Sequence, residues 1–240
     1  MTDLSPLIAA LIEAHRTGTP APCPFQPLTR AEVLAVQEAV IATLGPVAGF
    51  KVGQADGSPP ILAPIPARLR VANGGTRTIR DRLGVELEVG FELLRPLPSA
   101  ALPGDLPHYF RPLVALELVD TRLSGRAAED AVMKFADFQI NAGLVTGAAL
   151  PGWDGGDFGT VTASLTAGDK VVIDGPATIP GGSALANLAA LVTHLGAHCG
   201  GLQVGQVVIT GSVCGLPWFE PGVTVEGRIE GLGTASVTLG

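Results

Sequence analysis

The sequence has little charge of either sign. Lys and Arg number 15 and Asp and Glu 22 in 240 residues, or 15% of the chain, against about 25% in an ordinary soluble domain. There is no basic run and the formal net charge is −7, which argues against a nucleic-acid or anionic-membrane surface. Cysteine is scarce and odd in number. Cys23, Cys199 and Cys214 show no CxxC spacing, so a disulfide framework and a zinc knuckle are excluded and a reducing, cytoplasmic setting is expected. Long apolar runs are missing too: Gly, His or Pro breaks each of them well short of the ~18 residues a transmembrane helix needs. The N-terminal stretch, MTDLSPLIAALIEAHR, carries an early Asp and no basic region, unlike a secretory signal.

What the chain does hold is apolar and turn-forming. Hydrophobic residues reach 47%, so a disordered chain is out. With 32 Gly and 20 Pro, many turns joining short elements are expected rather than a helical bundle. So little polar surface predicts a homo-oligomer with buried faces.

Residues 2–16 read as an amphipathic helix through Leu4, Leu7, Ile8, Leu11 and Ile12. After a Pro-rich link, Thr29-Arg30-Ala31-Glu32 forms a capping box that opens a helix to about Leu44, stopped at Gly45-Pro46. Short β-like runs follow, the clearest being Val85–Leu94 and Leu113–Val119. Residues 126–139 look helical, and Asn141–Leu150 begins a long β section divided by Gly-Asp and Pro-Gly turns. Ser183–His198 is the strongest helix, nearly all small apolar residues, and is expected to be largely buried. Gly200–Gly240 returns to strands. The class is α+β, a single domain with residues 1–45 as an N-terminal helical segment and 46–240 as a β-rich catalytic core.

Chemistry is concentrated in three segments. Lys51, in Gly49-Phe50-Lys51-Val52-Gly53, is one of three lysines; it is either a snorkelling strand residue or a group held in a pocket. In Val85-Glu86-Leu87-Glu88-Val89 the two carboxylates are two apart on a strand and share a face. Like charges so placed suit a solvated face or a bound cation, and Glu92 continues the alternation. Glu117 stands inside the apolar run Leu113–Val119, where a carboxylate is costly unless paired or metal-bound. Asp120 and Arg122 offer a structural ion pair at that strand's end. If Glu117 joins Glu86 and Glu88, three oxygen ligands define a hard-cation site for Mg²⁺ or Mn²⁺. His194 and His198 are i,i+4, but Leu195 occupies the glutamate position of a zinc motif, so a core or interface role is expected. Gly231-Leu232-Gly233 lacks the rest of a dinucleotide fingerprint and reads as a turn. Thr210-Gly211-Ser212 closes an apolar strand and leaves Ser212 free to donate to a ligand.

The order Gly-Phe-Lys-Val-Gly, Val-Glu-Leu-Glu-Val, Ala-Leu-Glu-Leu-Val-Asp-Thr-Arg, Asn141-Ala142-Gly143 and Leu202–Ser212 resembles the 2-keto-4-pentenoate hydratase group of the fumarylacetoacetate hydrolase superfamily, from about residue 29 onward. The resemblance implies metal ligands at Glu86, Glu88 and Glu117, an active-site lysine at Lys51 and a substrate contact at Ser212. It also implies a mixed β-roll, sandwich-like core with helices to one side, and commonly a homo-oligomer. Gln54 and Asn141 are expected at the substrate, and Asp56 is the guess for the group that activates water. Two departures stand out: Gln54-Ala55-Asp56-Gly57-Ser58 replaces a Leu-Thr-Ser run, and Ile140-Asn141-Ala142-Gly143 replaces Asp-Asn-Ala-Ser.

The expected activity is therefore hydration of a small 2-hydroxy-2,4-dienoate, of the kind formed in aromatic-compound degradation, to a 4-hydroxy-2-oxo acid. The alternatives are decarboxylation of a vinylogous 2-keto diacid, C–C hydrolysis of an acylpyruvate, and a catalytically silent 2-keto-acid-binding relative. Hydrolytic relatives use a His–Glu pair on a lid; here only Glu13 and His15 are available, and two apart on a helix they diverge. No cation follows Lys51 closely and the nearest in sequence are Arg68 and Arg70, so a monoacid is preferred over a diacid.

Overall fold

The computed structural model describes residues 2–55 and 58–240, without the side chains of residues 54, 55 and 58. The expectations for Gln54 and Asp56 therefore lie outside the described residues. Numbering only elements of six residues or more, the helices are α1 (Ser5–Thr17), α2 (Arg30–Leu44), α3 (Ala131–Ala136) and α4 (Ala184–Leu195). The strands are β1 (Val47–Ala55), β2 (Ser58–Pro66), β3 (Leu83–Leu93), β4 (Phe110–Val119), β5 (Asn141–Ala149), β6 (Thr160–Ala167), β7 (Lys170–Thr178), β8 (Val207–Ser212), β9 (Val223–Ile229) and β10 (Gly233–Leu239). The class is mixed α+β, as expected from the sequence.

Two sheets form the body. The larger runs β2-β1-β8-β3-β4-β5, with the short strand Arg70–Val71 at its far edge and Trp218–Phe219 paired to the start of β3. The smaller runs β7-β6-β9-β10 and ends on Gly75–Arg77. Strand alternation decides what each face carries. Val85, Leu87, Val89 and Phe91 of β3, with Val114, Leu116 and Leu118 of β4, face the smaller sheet and share a core with its Leu165, Val225 and Val237. The sheets meet so closely at Gly227 that a Cβ there would lie 2.7 Å from Leu87 Cδ1 and 2.8 Å from Leu116 Cδ2, so any side chain would push both leucines aside in a packed core. The opposite face of the curled larger sheet encloses Ile65, Leu113, Ala115, Leu144, Val207 and Ile209.

The helices cover what remains. α1 and α2 pack with α3 through Leu7, Leu11, Val33, Val36, Val40 and Met133. The capping box of α2 is present: Thr29 N donates to Glu32 Oε2 at 2.8 Å and Glu32 N to Thr29 Oγ1 at 3.3 Å. α4 buries Leu188, Leu191, Val192 and Leu195 in the core that contains Phe50, Val52 and Val208. Its apolar stripe is thus used within the chain. It ends at Leu195 rather than His198, because Gly196 turns left-handed at φ +54°.

The expected helix at 126–139 is broken. Asp130 accepts from Val132 N and Met133 N, both at 2.9 Å, and so caps a new helix. Beyond α3, Phe138, Gln139 and Ile140 all adopt left-handed backbone, at φ 52°, 50° and 54°. No periodicity announces such a turn.

Candidate metal and substrate site

Pairing of β3 with β4 places Glu86 directly opposite Glu117 and Glu88 opposite Ala115. Cross-strand partners point to the same side of a sheet, so all three carboxylates stand on the inner face. Each offers an oxygen, and these oxygens lie within 4.8 Å of one another. Lys51 arrives from β1, whose Phe50 and Val52 are committed to the α4 side while Lys51 pairs in register with Ile209 and points inward. Its Nζ donates to Glu117 Oε1 at 2.6 Å and to the Gln139 carbonyl at 3.4 Å.

The hydrogen bonds fix the carboxylates unevenly. Glu117 is fully buried; Oε1 accepts from Lys51 and from Asn141 Nδ2 at 2.9 Å, whereas Oε2 is buried with no partner among the described residues. Glu88, 2% exposed, accepts from Gly211 N at 2.5 Å. Gly211 has φ +107°, a backbone that suits glycine. Burial, with the charge on Glu117 next, lifts Glu86 to about 7, and the same causes with Glu86 added lift Glu88 well above the usual carboxylate range. For Lys51 burial opposes the ammonium, but the charges of Glu117, Glu86 and Glu88 prevail and its pKa is raised. Three carboxyl groups share one ammonium, so ionising all of them leaves negative charge that only a further cation compensates. A hard dication fits this all-oxygen donor set and the orphaned Glu117 Oε2.

The cluster opens onto a cavity of about 250 Å³ lined by Lys51, Glu86, Glu88, Gln139, Gly211 and Ser212, with Val52, Ile61, Val119, Ile140 and Leu216 as its apolar wall. A roomier hollow of about 440 Å³ lies beside it, around Arg80, Arg82, Asp120 and Trp218. Asp81, Asp120 and Glu220 also line it, but among the described residues they do not converge as Glu86, Glu88 and Glu117 do.

The residues singled out in the sequence fall into distinct places. Lys51, Glu86, Glu88 and Glu117 converge. Ser212 lines the cavity, but its Oγ donates to Gly215 O at 2.6 Å and thereby closes the turn after β8. Asn141, expected at the substrate, is fully buried and spends its amide on Glu117 and on the backbone of Gly143. Glu92 leaves the cluster and pairs with Arg111 at 2.9 Å. Arg122 pairs not with Asp120 but with Asp137, at 2.6 Å. Glu13 and His15 diverge: Glu13 pairs with Arg16 at the surface, and the His15 ring packs 5.4 Å from Phe138. His198 meets Gln37 of α2 at 2.9 Å. Gln139 was not foreseen, since nothing in its neighbours marks a left-handed turn.

No protein-family profile and no curated protein sequence matches the chain. Solved structures do. The fold is shared with solved structures of a decarboxylase, a hydrolase and an isomerase. The chain is similar to a 4-oxalocrotonate decarboxylase from Pseudomonas putida G7, complexed with magnesium and adipate, at a TM-score of 0.77 and 20% identity over 100% of this chain and 99% of that one. A fumarylpyruvate hydrolase from Pseudomonas aeruginosa, with Mn²⁺ and pyruvate, matches at 0.57 and 19% identity over 79% and 88%. A 5-carboxymethyl-2-hydroxymuconate delta-isomerase from Mycobacterium smegmatis matches at 0.58 and 16% identity over 81% and 80%.

Proposed function

We propose that this protein is a divalent-metal-dependent hydratase of a small 2-hydroxy-2,4-dienoate, with Glu86, Glu88 and Glu117 as ligands to Mg²⁺ or Mn²⁺. The observation that carries the proposal is the convergence of three carboxylates and one ammonium, of which Lys51, Glu86 and Glu88 line a small, otherwise largely apolar cavity and Glu117 lies buried behind them. When bound, the dication supplies a Lewis acid for the substrate's 1-carboxylate and 2-oxygen. Lys51 uses two N–H directions on Glu117 and Gln139; its third is left for the substrate's 2-oxygen, where it holds or moves a proton. Asn141 and Gly211 keep Glu117 and Glu88 in place. In the overall reaction the 2-hydroxyl proton leaves and C5 gains a proton. Water then adds across C3–C4, its oxygen bonding to C4 and a proton to C3, which gives a 4-hydroxy-2-oxo acid.

A monoacid such as 2-hydroxypenta-2,4-dienoate suits the wall, where Lys51 is the only cation among the described residues and is already paired. Arg68 and Arg70 are held elsewhere, on His15 O and Thr146 Oγ1, each at 3.3 Å. A second reading, a diacid decarboxylase, is favoured by the neighbouring hollow. Trp218 pairs with Gly84, on the same strand face as Glu86, and carries the Arg82 guanidinium 4.9 Å above its ring. That cation is a natural partner for a second carboxylate.

Parallel assays of the five-carbon monoacid and a six-carbon diacid, following dienol absorbance with Mn²⁺, test the proposal. Preference for the monoacid without gas release supports hydration, and release of CO₂ supports decarboxylation. Failure to bind oxalate in the presence of metal leaves only the silent relative. We further propose a homo-oligomer in the cytoplasm, on the scarcity of charge, the three free cysteines, and exposed Val171 and Val204. No helix among the described residues is long and apolar enough to cross a membrane. Light scattering at micromolar concentration checks the assembly.

A further inference from the structure

The left-handed turn at 138–140 is held from both ends by one buried side chain. Arg122 donates from Nε to Asp137 Oδ1 at 2.6 Å, from Nη2 to the Asp137 carbonyl at 2.7 Å and from Nη1 to the Asn141 carbonyl at 2.5 Å. Ile140 N closes the turn on Asp137 O at 2.7 Å, and Asp120 N reaches Ile140 O at 3.0 Å. Left-handed backbone costs roughly 1–2 kcal/mol per non-glycine residue, and such strain persists only where surrounding structure imposes it. Here the imposed shape points Gln139 at the site. Its carbonyl accepts from Lys51, it lines the cavity, and its side-chain Oε1 is buried with no partner among the described residues.

We propose that Gln139 positions the water that adds to the substrate: its Oε1 accepts one O–H of that water and aims the oxygen lone pair at C4. A carboxamide is not a base at neutral pH, so the role is orientation, and the water's proton passes on to C3 as the C4–O bond forms. A buried acceptor without a donor carries a desolvation penalty, which an O–H donor in the cavity relieves. This proposal rests on the hydratase reading of the same site. It separates two halves of that reaction, because ketonisation of the dienol needs no water and hydration does.

The test uses the full-length protein loaded with Mn²⁺. Gln139→Leu removes the acceptor at similar volume, and Gln139→Gly removes it where glycine adopts the left-handed backbone without strain, so one of the two folds even if the other does not. Three quantities are read: Mn²⁺ and oxalate affinity by titration calorimetry, C5 deuterium uptake by the dienol, and formation of the 4-hydroxy product. The expected result is a product rate lower by roughly 10- to 100-fold, the scale of a misplaced reactant. Deuterium uptake and both affinities should stay within about threefold. Hydration at the wild-type rate in either folded variant overturns the role of Gln139 and leaves the hydratase standing. Equal loss of uptake, hydration and oxalate affinity also overturns it, since Gln139 would then be shaping the whole site. A wild-type protein that binds Mn²⁺ and oxalate but hydrates no dienoate overturns both.

Discussion

Two buried ion pairs with the same 2.6 Å contact lie on either side of the 138–140 turn, and they differ in everything that follows from their surroundings. Around Arg122 and Asp137 the hydrogen bonds are complete. The guanidinium meets a carboxylate and two carbonyls, and both Asp137 oxygens accept, Oδ2 taking the Arg122 N–H at 2.9 Å. Around Lys51 and Glu117 they are not. One Glu117 oxygen has no partner, two further carboxylates crowd the pair, and a cavity opens beside it. A closed pair fixes backbone, whereas an open one with surplus charge of one sign is poised for a ligand. The contact distance alone distinguishes nothing.

The comparison can be broken at several points. The largest effect should come from Arg122→Met, which leaves Asp137 buried opposite no charge and removes the clamp on two carbonyls. A loss of about 3–5 kcal/mol in urea unfolding is expected, and a loss below about 1 kcal/mol would show that the pair is not what holds the turn. Lys51→Met should behave in the opposite sense. Turnover should fall by roughly 10²-fold or more, the usual scale of an acid–base group, with metal binding retained and less stability lost than in Arg122→Met. Unchanged turnover would return Lys51 to a structural role.

The pH dependence sharpens the contrast. Burial and then the charge on Glu117 hold Glu86 at about 7, above its unfolded value of 4.5, so the folded state takes up a proton that the unfolded state lacks between those values. Metal-free protein should therefore be most stable near pH 5 and lose about 1–3 kcal/mol as pH rises through 7 to 8. Asp137, lifted by burial to about 6 despite Arg122, adds in the same direction. Saturating Mn²⁺ should flatten or reverse the slope, because the ion takes the proton's place. A smaller effect is expected from Ser212→Ala, whose hydroxyl serves the Gly215 carbonyl: about 1 kcal/mol of stability, with turnover changed by no more than about threefold.

The site was legible in sequence where strand alternation carries the information. Glu86 and Glu88 share a face because they are two apart, and Glu117 is anomalous within an apolar strand. The register that brings Glu117 opposite Glu86 is a tertiary fact, but the buried charge already demanded a partner. The capping box of α2 was readable for the same local reason. The 138–140 turn was not, since Phe, Gln and Ile all disfavour left-handed backbone and the contacts that impose it, Arg122 and the Asp120 amide among them, come from another segment. Asn141 is legible as a residue near the site, but sequence cannot say whether an amide meets a ligand or a ligand's holder; here it donates to Glu117. The helix at 183–198 was overrun by three residues because small apolar periodicity continues past Gly196, whose backbone ends it.

The central claim, that the open pair marks a metal centre, is tested most directly by titrating Mn²⁺ into the metal-free protein at pH 8. The wild type and Glu117→Gln should be compared, each with and without oxalate. One ion per chain in the wild type, oxalate bound only when metal is present, and loss of both in a still-folded Glu117→Gln is the expected result. Absence of Mn²⁺ binding in the wild type, or unchanged affinity in Glu117→Gln, would contradict it.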